Sequence, residues 1–286
     1  MNRLNFSLTN VARLCGLWLI LLAFVPFVLL LAISLLKRGY SEFYVLQFDL
    51  SAYTRLFDWV YLRVFLESLK LAIITTIGCL LLAYPFTYFL VSKGLKLRQF
   101  LFFLVIVPFW TSSLIRTYAL IAIIKTNGLL NSLLLKINII NEPIEILYTD
   151  WAVLIGLIYT MLPYMILPLY SNLEKFDSEI KEAARDLGAS PSQTFLRVIL
   201  PLSSPGIVAG MILVFIPSLG LFFIPDILGG SKSLVLGSLI RDQFLITRNW
   251  PFGASLSVIL TIGMLLLLWV YKWNNRRTGN LDGDLL

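Results

Sequence analysis

Six separate stretches of this sequence stay apolar over more than roughly 20 residues, the length a helix needs to cross the hydrocarbon of a bilayer. They run near Leu14–Leu36, Leu66–Val91, Gln99–Ile124, Trp151–Leu173, Leu200–Ile224 and Phe252–Trp273. Lipid offers no partner to a peptide group, so each run is expected to be a helix that satisfies its own backbone. Composition agrees: 58% of residues are hydrophobic and 14% charged, where a soluble domain has about 45–50% and 25%. The expected fold class is an all-α membrane protein of about six transmembrane helices, a single domain over 1–286 with no soluble domain between the spans.

The first run follows Arg3 and Arg13 and superficially resembles a signal peptide, with Ala32-Ile33-Ser34 mimicking a cleavage site. It exceeds the roughly 7–15 apolar residues of a signal core, so it is read as the first span. Pro26, Pro85, Pro108, Pro163, Pro168 and Pro217 fall inside the runs, and kinked helices are expected there, with neighbours satisfying the freed carbonyls. The sequence has no His, and Cys15 and Cys79 both lie in apolar runs. Neither a metal cluster nor a disulfide framework has its ligands, and both thiols are read as packing residues.

The net charge of +7 comes from Lys and Arg scattered among short loops rather than gathered on one face, which argues for membrane orientation and against nucleic acid. The turn Lys93-Gly94-Leu95-Lys96-Leu97-Arg98 is the strongest single sign of a cytoplasmic side. Both termini are expected on that same side.

Between the fourth and fifth runs, residues 174–200 form a polar loop, most of it within FDSEIKEAARDLGASPSQTFLRVILPLSSPGI (176–207). Asp177 or Ser178 can cap a helix on which Ile180, Ala183, Ala184 and Leu187 share one apolar face. Gly188 then ends it as a left-handed C-cap. Ser190-Pro191-Ser192-Gln193 starts a second helix with a capping box and a proline at its first position. A third start follows at Ser203-Ser204-Pro205-Gly206, with a serine cap. A helix, a bend and a helix at the membrane surface can lie in a groove of another protein or simply on lipid. Glu182 can equally be a solvated charge.

Glu182-Ala183-Ala184, Gly188 and Ile199-Leu200-Pro201 resemble the EAA loop of ABC importer permeases. The resemblance implies a type I ABC importer permease fold. It also implies that Glu182, Ala183, Ala184, Gly188, Leu200 and Pro201 form a cytoplasmic coupling helix docking on an ATPase. VPFWTSSLIRTYALIAIIKTNGLLN, PSLGLFFIPDILGG and NWPFGASLS are similar to the spermidine/putrescine branch of that family. The partners so implied are a cytoplasmic ATPase dimer, a second homologous permease and a periplasmic polyamine-binding protein. No GxxxxGK[ST] occurs in this chain, so ATP and Mg belong to the partner ATPase, and the chain needs no cofactor of its own.

A path for a polycation would offer carboxylates and aromatic faces. Asp226, in Ile224-Pro225-Asp226, is the acid nearest the membrane interior, and its alternative is an ordinary loop or cap acid. Trp110 and Tyr118, eight residues apart and near one helical face, are the aromatic candidates, with an interfacial belt as their alternative. Arg116 is costly in an apolar run unless paired, as with Asp226, and is read as structural, because a fixed cation on the path would repel the substrate. Without His there is no HExxH site or Ser-His-Asp triad, which excludes the common hydrolytic enzymes. An ion-coupled carrier would want more intramembrane ionisable groups; a permease for another small solute is the nearer alternative.

Overall fold

The computed structural model describes residues 2–39, 42–176, 178–230 and 234–277. In chain order the elements are α1 (Asn2–Ser34), β1 (Leu36–Lys37), β2 (Val45–Phe48), α2 (Ser51–Arg55), α3 (Trp59–Val91) and α4 (Leu95–Ile106). A 3₁₀ turn (Val107–Trp110) follows, then α5 (Ser113–Ile124), α6 (Leu129–Lys136), α7 (Asp150–Leu173), α8 (Ser178–Asp186) and α9 (Pro191–Thr194). A π turn (Phe195–Ile199) leads to α10 (Leu200–Leu202), α11 (Ser204–Gly220), a second π turn (Pro225–Gly229), α12 (Leu236–Leu245) and α13 (Trp250–Arg277). Five helical segments among the described residues are long and apolar enough to cross a membrane, or six with the bent pair Pro191–Leu202 and Ser204–Gly220 counted as one.

The expected spans hold with two corrections. The run Gln99–Ile124 is not one helix: Pro108 falls in the 3₁₀ turn, and Thr111 and Ser112 are extended (ψ 143° and 135°) before α5 begins. At about 18 Å, α4 is too short to cross lipid, and the span-length segment here is Ser113–Lys136. The fifth run, expected over Leu200–Ile224, contains α11 over Ser204–Gly220, set at 61° to the helix before it.

The chain divides into two compact units, 64–238 and the pair of segments 1–63 with 239–286. In the larger unit the core lies where α3, α7 and α11 meet, around Cys79, Ala83, Met161, Met165, Leu169 and Val214. Lipid tails are as apolar as leucine, so helices there associate by close packing rather than by hydrophobic exclusion. Small residues allow it: Gly206-Ile207-Val208-Ala209-Gly210 repeats glycine at i and i+4, and both glycines face α7. A methyl group at Gly206 would stand 2.7 Å from Asn172 Cβ, and one at Gly210 2.6 Å from Met165 Sδ. A second cluster joins Ile124 of α5 and Leu157 of α7 to Ile224 and Leu228 beside the second π turn.

Five hydroxyls inside the spans are satisfied locally, whereas Thr75 Oγ1 of α3 is buried without a hydrogen-bond partner among the described residues. Ser68, Thr76, Thr87, Thr117 and Ser218 each donate to the carbonyl four residues back, at 2.7–2.9 Å. This is the usual way a membrane helix carries Ser and Thr without an unpaired polar group.

In the smaller unit α1 packs along α13, and β1 and β2 form a short antiparallel hairpin, Leu36 opposite Phe48. Trp250 opens α13 and stacks on Phe43 at 4.5 Å, while Asn249 caps that helix by accepting from the Phe252 amide. The apolar face of α1 is left outward. Cys15 is therefore exposed, which corrects its reading as a packing residue; Cys79 is buried as expected.

Candidate functional site: the loop between α7 and α11

The loop predicted as helix, bend and helix folds as its capping chemistry dictates. Gly188 has φ +80°; its amide donates to Arg185 O at 2.8 Å and the Ala189 amide reaches Ala184 O at 3.0 Å. These are the two bonds of a Schellman motif, and the conformation costs glycine nothing. Two residues on, the Ser190 hydroxyl accepts from the Gln193 amide while Gln193 Oε1 accepts from the Ser190 amide at 2.9 Å, completing the expected capping box. Of the two expected caps, Asp177 lies outside the described residues, and Ser178 is the first residue of α8.

The apolar face of α8 is not packed inward as a whole. Ala184 is buried, whereas Ile180 and Ala183 are exposed and Leu187 is 88% exposed. Glu182 is exposed as well. A shallow recess between α8 and the following helix is lined by Ala184, Leu187, Gly188, Ala189, Gln193, Arg197 and Val198. A fixed helix angle and an uncovered leucine make a shaped apolar surface with a charged rim.

Leu200 and Pro201 sit at the far end. Pro201 has no amide to give the carbonyl four residues back, and the preceding turn widens so that the Leu200 amide bonds Phe195 O instead. Leu200 packs into the core and Pro201 is exposed. The third helix start differs from expectation: Ser203 makes no side-chain cap. Its hydroxyl donates to Leu200 O at 2.9 Å and pairs with Tyr84 of α3 at 2.9 Å, fully buried. Phe195 stands edge-on to both Tyr84 and Tyr88. Sequence reasoning missed these anchors, because Tyr84 and Ser203 are far apart in the chain and belong to no shared motif.

The residues singled out for a substrate path are placed differently. Trp110 is 76% exposed and Tyr118 61% exposed. The helix breaks between them, so the argument from eight-residue spacing does not hold. Asp226 enters the second π turn and accepts from the Ser238 hydroxyl at 2.7 Å. Among the described residues Arg116 forms no ion pair with Asp226, and its Nε is buried without a hydrogen-bond partner. The structure thus joins α5 to the second π turn through Ile124, Ile224 and Leu228, not through the charge pair.

Comparison with known proteins fits this architecture. The family described as "Binding-protein-dependent transport system inner membrane component" matches residues 76–280. The spermidine/putrescine transport system permease protein PotB of Escherichia coli is 50% identical over 268 residues, covering 94% of this chain and 97% of that protein. PotB of Haemophilus influenzae is 48% identical, covering 91% of each. Among solved structures, a bacterial alginate ABC transporter in complex with alginate pentasaccharide-bound periplasmic protein superimposes with a TM-score of 0.76, at 15% identity and 96% coverage of both chains. That likeness is one of fold. A long family match, half-identical relatives and a shared helical architecture agree: this chain belongs to the inner membrane permease components of binding-protein-dependent transport systems, in the PotB-like branch.

Proposed function

We propose that this chain forms, with a second homologous permease subunit, the membrane path for polyamines such as spermidine and putrescine. A periplasmic binding protein delivers them, and a cytoplasmic ATPase dimer holding ATP and Mg drives their entry. The observation that carries this reading is the α8–Gly188–α9 unit: its angle is fixed by four capping hydrogen bonds, yet among the described residues its apolar Leu187 is left 88% exposed. A helix meant only to lie on lipid needs no such fixed angle. Glu182, Ala183, Ala184, Gly188, Leu200 and Pro201 are the coupling set. Reconstitution with the three partners tests it. Spermidine accumulation must require ATP and the ATPase; accumulation by this chain alone under an ion gradient would point to a secondary carrier.

The same reading puts both termini and the Glu182 loop in the cytoplasm of an inner-membrane protein. A cysteine at an exposed position of α9, Ser192→Cys, should react with an impermeant maleimide only after the membrane is opened. Labelling of intact spheroplasts would reverse the orientation.

Trp110, Tyr118 and Asp226 are the proposed path residues. Trp110 and Tyr118 are large aromatic faces left open on one chain, as a path completed by a second subunit requires. Asp226 is half-buried in the second π turn. Asp226→Asn keeps the shape and an acceptor for Ser238 but removes the charge. It should cut spermidine uptake about tenfold, the scale of one lost charge-assisted contact, without lowering complex abundance. Unchanged uptake, or equal loss of abundance, would make Asp226 a structural acid only.

A further inference from the structure

The α4 helix has no fully buried side chain among its described residues, yet it runs beside α7 in a regular way. Arg98 Nη2 meets Glu174 Oε1 at 2.9 Å. One turn on in α4 and one turn back in α7, Phe102 stacks on Tyr170 at 4.2 Å. Two further turns along, Phe109 stands edge-on to Tyr164 at 5.1 Å. The residues advance 98, 102, 109 on one side and retreat 174, 170, 164 on the other, which is the spacing of helix faces meeting antiparallel. The two ends of this ladder are the informative part. Glu174 is the C-cap of α7 and lies just before α8, the first helix of the coupling loop. Phe109 adjoins Trp110 in the 3₁₀ turn, at the break before α5.

From this we infer that Arg98 and Glu174 are positioning residues that lock the root of the coupling loop to α4. A displacement of the loop then moves α4 and the Trp110 turn as one body. The inference rests on the importer reading above. Movement of α8 by a partner reaches Glu174 through only a few residues, and the ion pair passes it across to α4 instead of letting α7 bend alone at Pro168 and Pro163. The pair is partly exposed, with side chains 20% and 38% accessible, so its role in holding the fold is small. Its role in transmitting a movement is bounded by the same small energy, which is enough for a severalfold change in coupling.

The test uses the full complex of this chain, second permease, ATPase and binding protein in proteoliposomes, with spermidine as solute. Uptake and ATP hydrolysis are measured together. Arg98→Glu and Glu174→Arg should each lower spermidine moved per ATP about fivefold at unchanged ATP hydrolysis, and the double swap should recover most of it, as expected for a directly coupled pair. Phe102→Ala should give a smaller loss with no rescue by the swap. Should a reversed charge reduce abundance, Arg98→Gln takes its place and must still lower the ratio at normal abundance. Single variants that couple like the parent overturn the ladder, as does a double swap no better than its singles. A parent complex without ATP-driven uptake counts instead against the importer reading and takes this inference with it.

Discussion

Replacing Gly188 by valine is expected to lower ATP-driven uptake roughly 5- to 30-fold while leaving the chain in the membrane at its normal level. At φ +80° there is open space around the position, so the effect is not a clash. It comes from the backbone: a side chain in the left-handed region costs about 1–2 kcal/mol, more for a β-branched residue. Spread over a large core that would be absorbed. Here it falls on α8, nine residues long and below the length at which a helix is stable in water on its own, so about 1–2 kcal/mol changes the population of the docked geometry by roughly 5- to 30-fold. The Ala189–Ala184 and Gly188–Arg185 bonds would be lost, and with them the angle between α8 and α9. Association of the ATPase and substrate-stimulated ATP hydrolysis should fall together. Gly188→Ala should do less than valine, and Glu182→Lys should be milder still, by reversing a charge on the rim. Full ATP-driven uptake by Gly188→Val membranes would reduce the loop to a surface helix.

Gly206→Leu should have the opposite signature, with the chain depleted from the membrane and no separable coupling defect. The position has an ordinary helical backbone, and its constraint is space. A Cβ there stands 2.7 Å from Asn172 Cβ and 3.1 Å from Pro168 O, atoms that cannot rotate away as a chain end can. Overpacking of this kind costs about 1–3 kcal/mol, and it falls on the contact between α7 and α11, the most extensive helix pair in the larger unit. Gly210→Leu meets the flexible Met165 Sδ first and should be better tolerated. Quantifying each variant in membranes and its resistance to protease checks the order. Normal abundance of Gly206→Leu would mean that α7 and α11 can part without loss, and the packing account would be wrong.

The sequence by itself determined the membrane class, the position of four of the six expected crossings and the inner construction of the loop between α7 and α11. Each of these rests on local chemistry. Lipid demands helices wherever apolar runs are long enough, Gly188 is needed where φ is positive, and Ser190 with Gln193 closes a capping box within four residues. Where sequence reasoning fell short, the deciding energies were between residues far apart in the chain. The run Gln99–Ile124 reads as uniformly apolar, but hydropathy does not register that Pro108 and the extended Thr111–Ser112 turn break it into α4 and α5. Ser203 looks like a helix cap and is instead held by Tyr84 across the core. Cys15 and Cys79 sit in equally apolar surroundings in the chain, yet one faces outward and the other is enclosed between α3 and α7. Arg98 and Glu174 read as ordinary loop charges until α4 and α7 lie antiparallel and bring them to 2.9 Å. A span is fixed by its own transfer from water to lipid, residue by residue, whereas the partner of a side chain is fixed by which helix faces pack, and only the tertiary structure holds that choice.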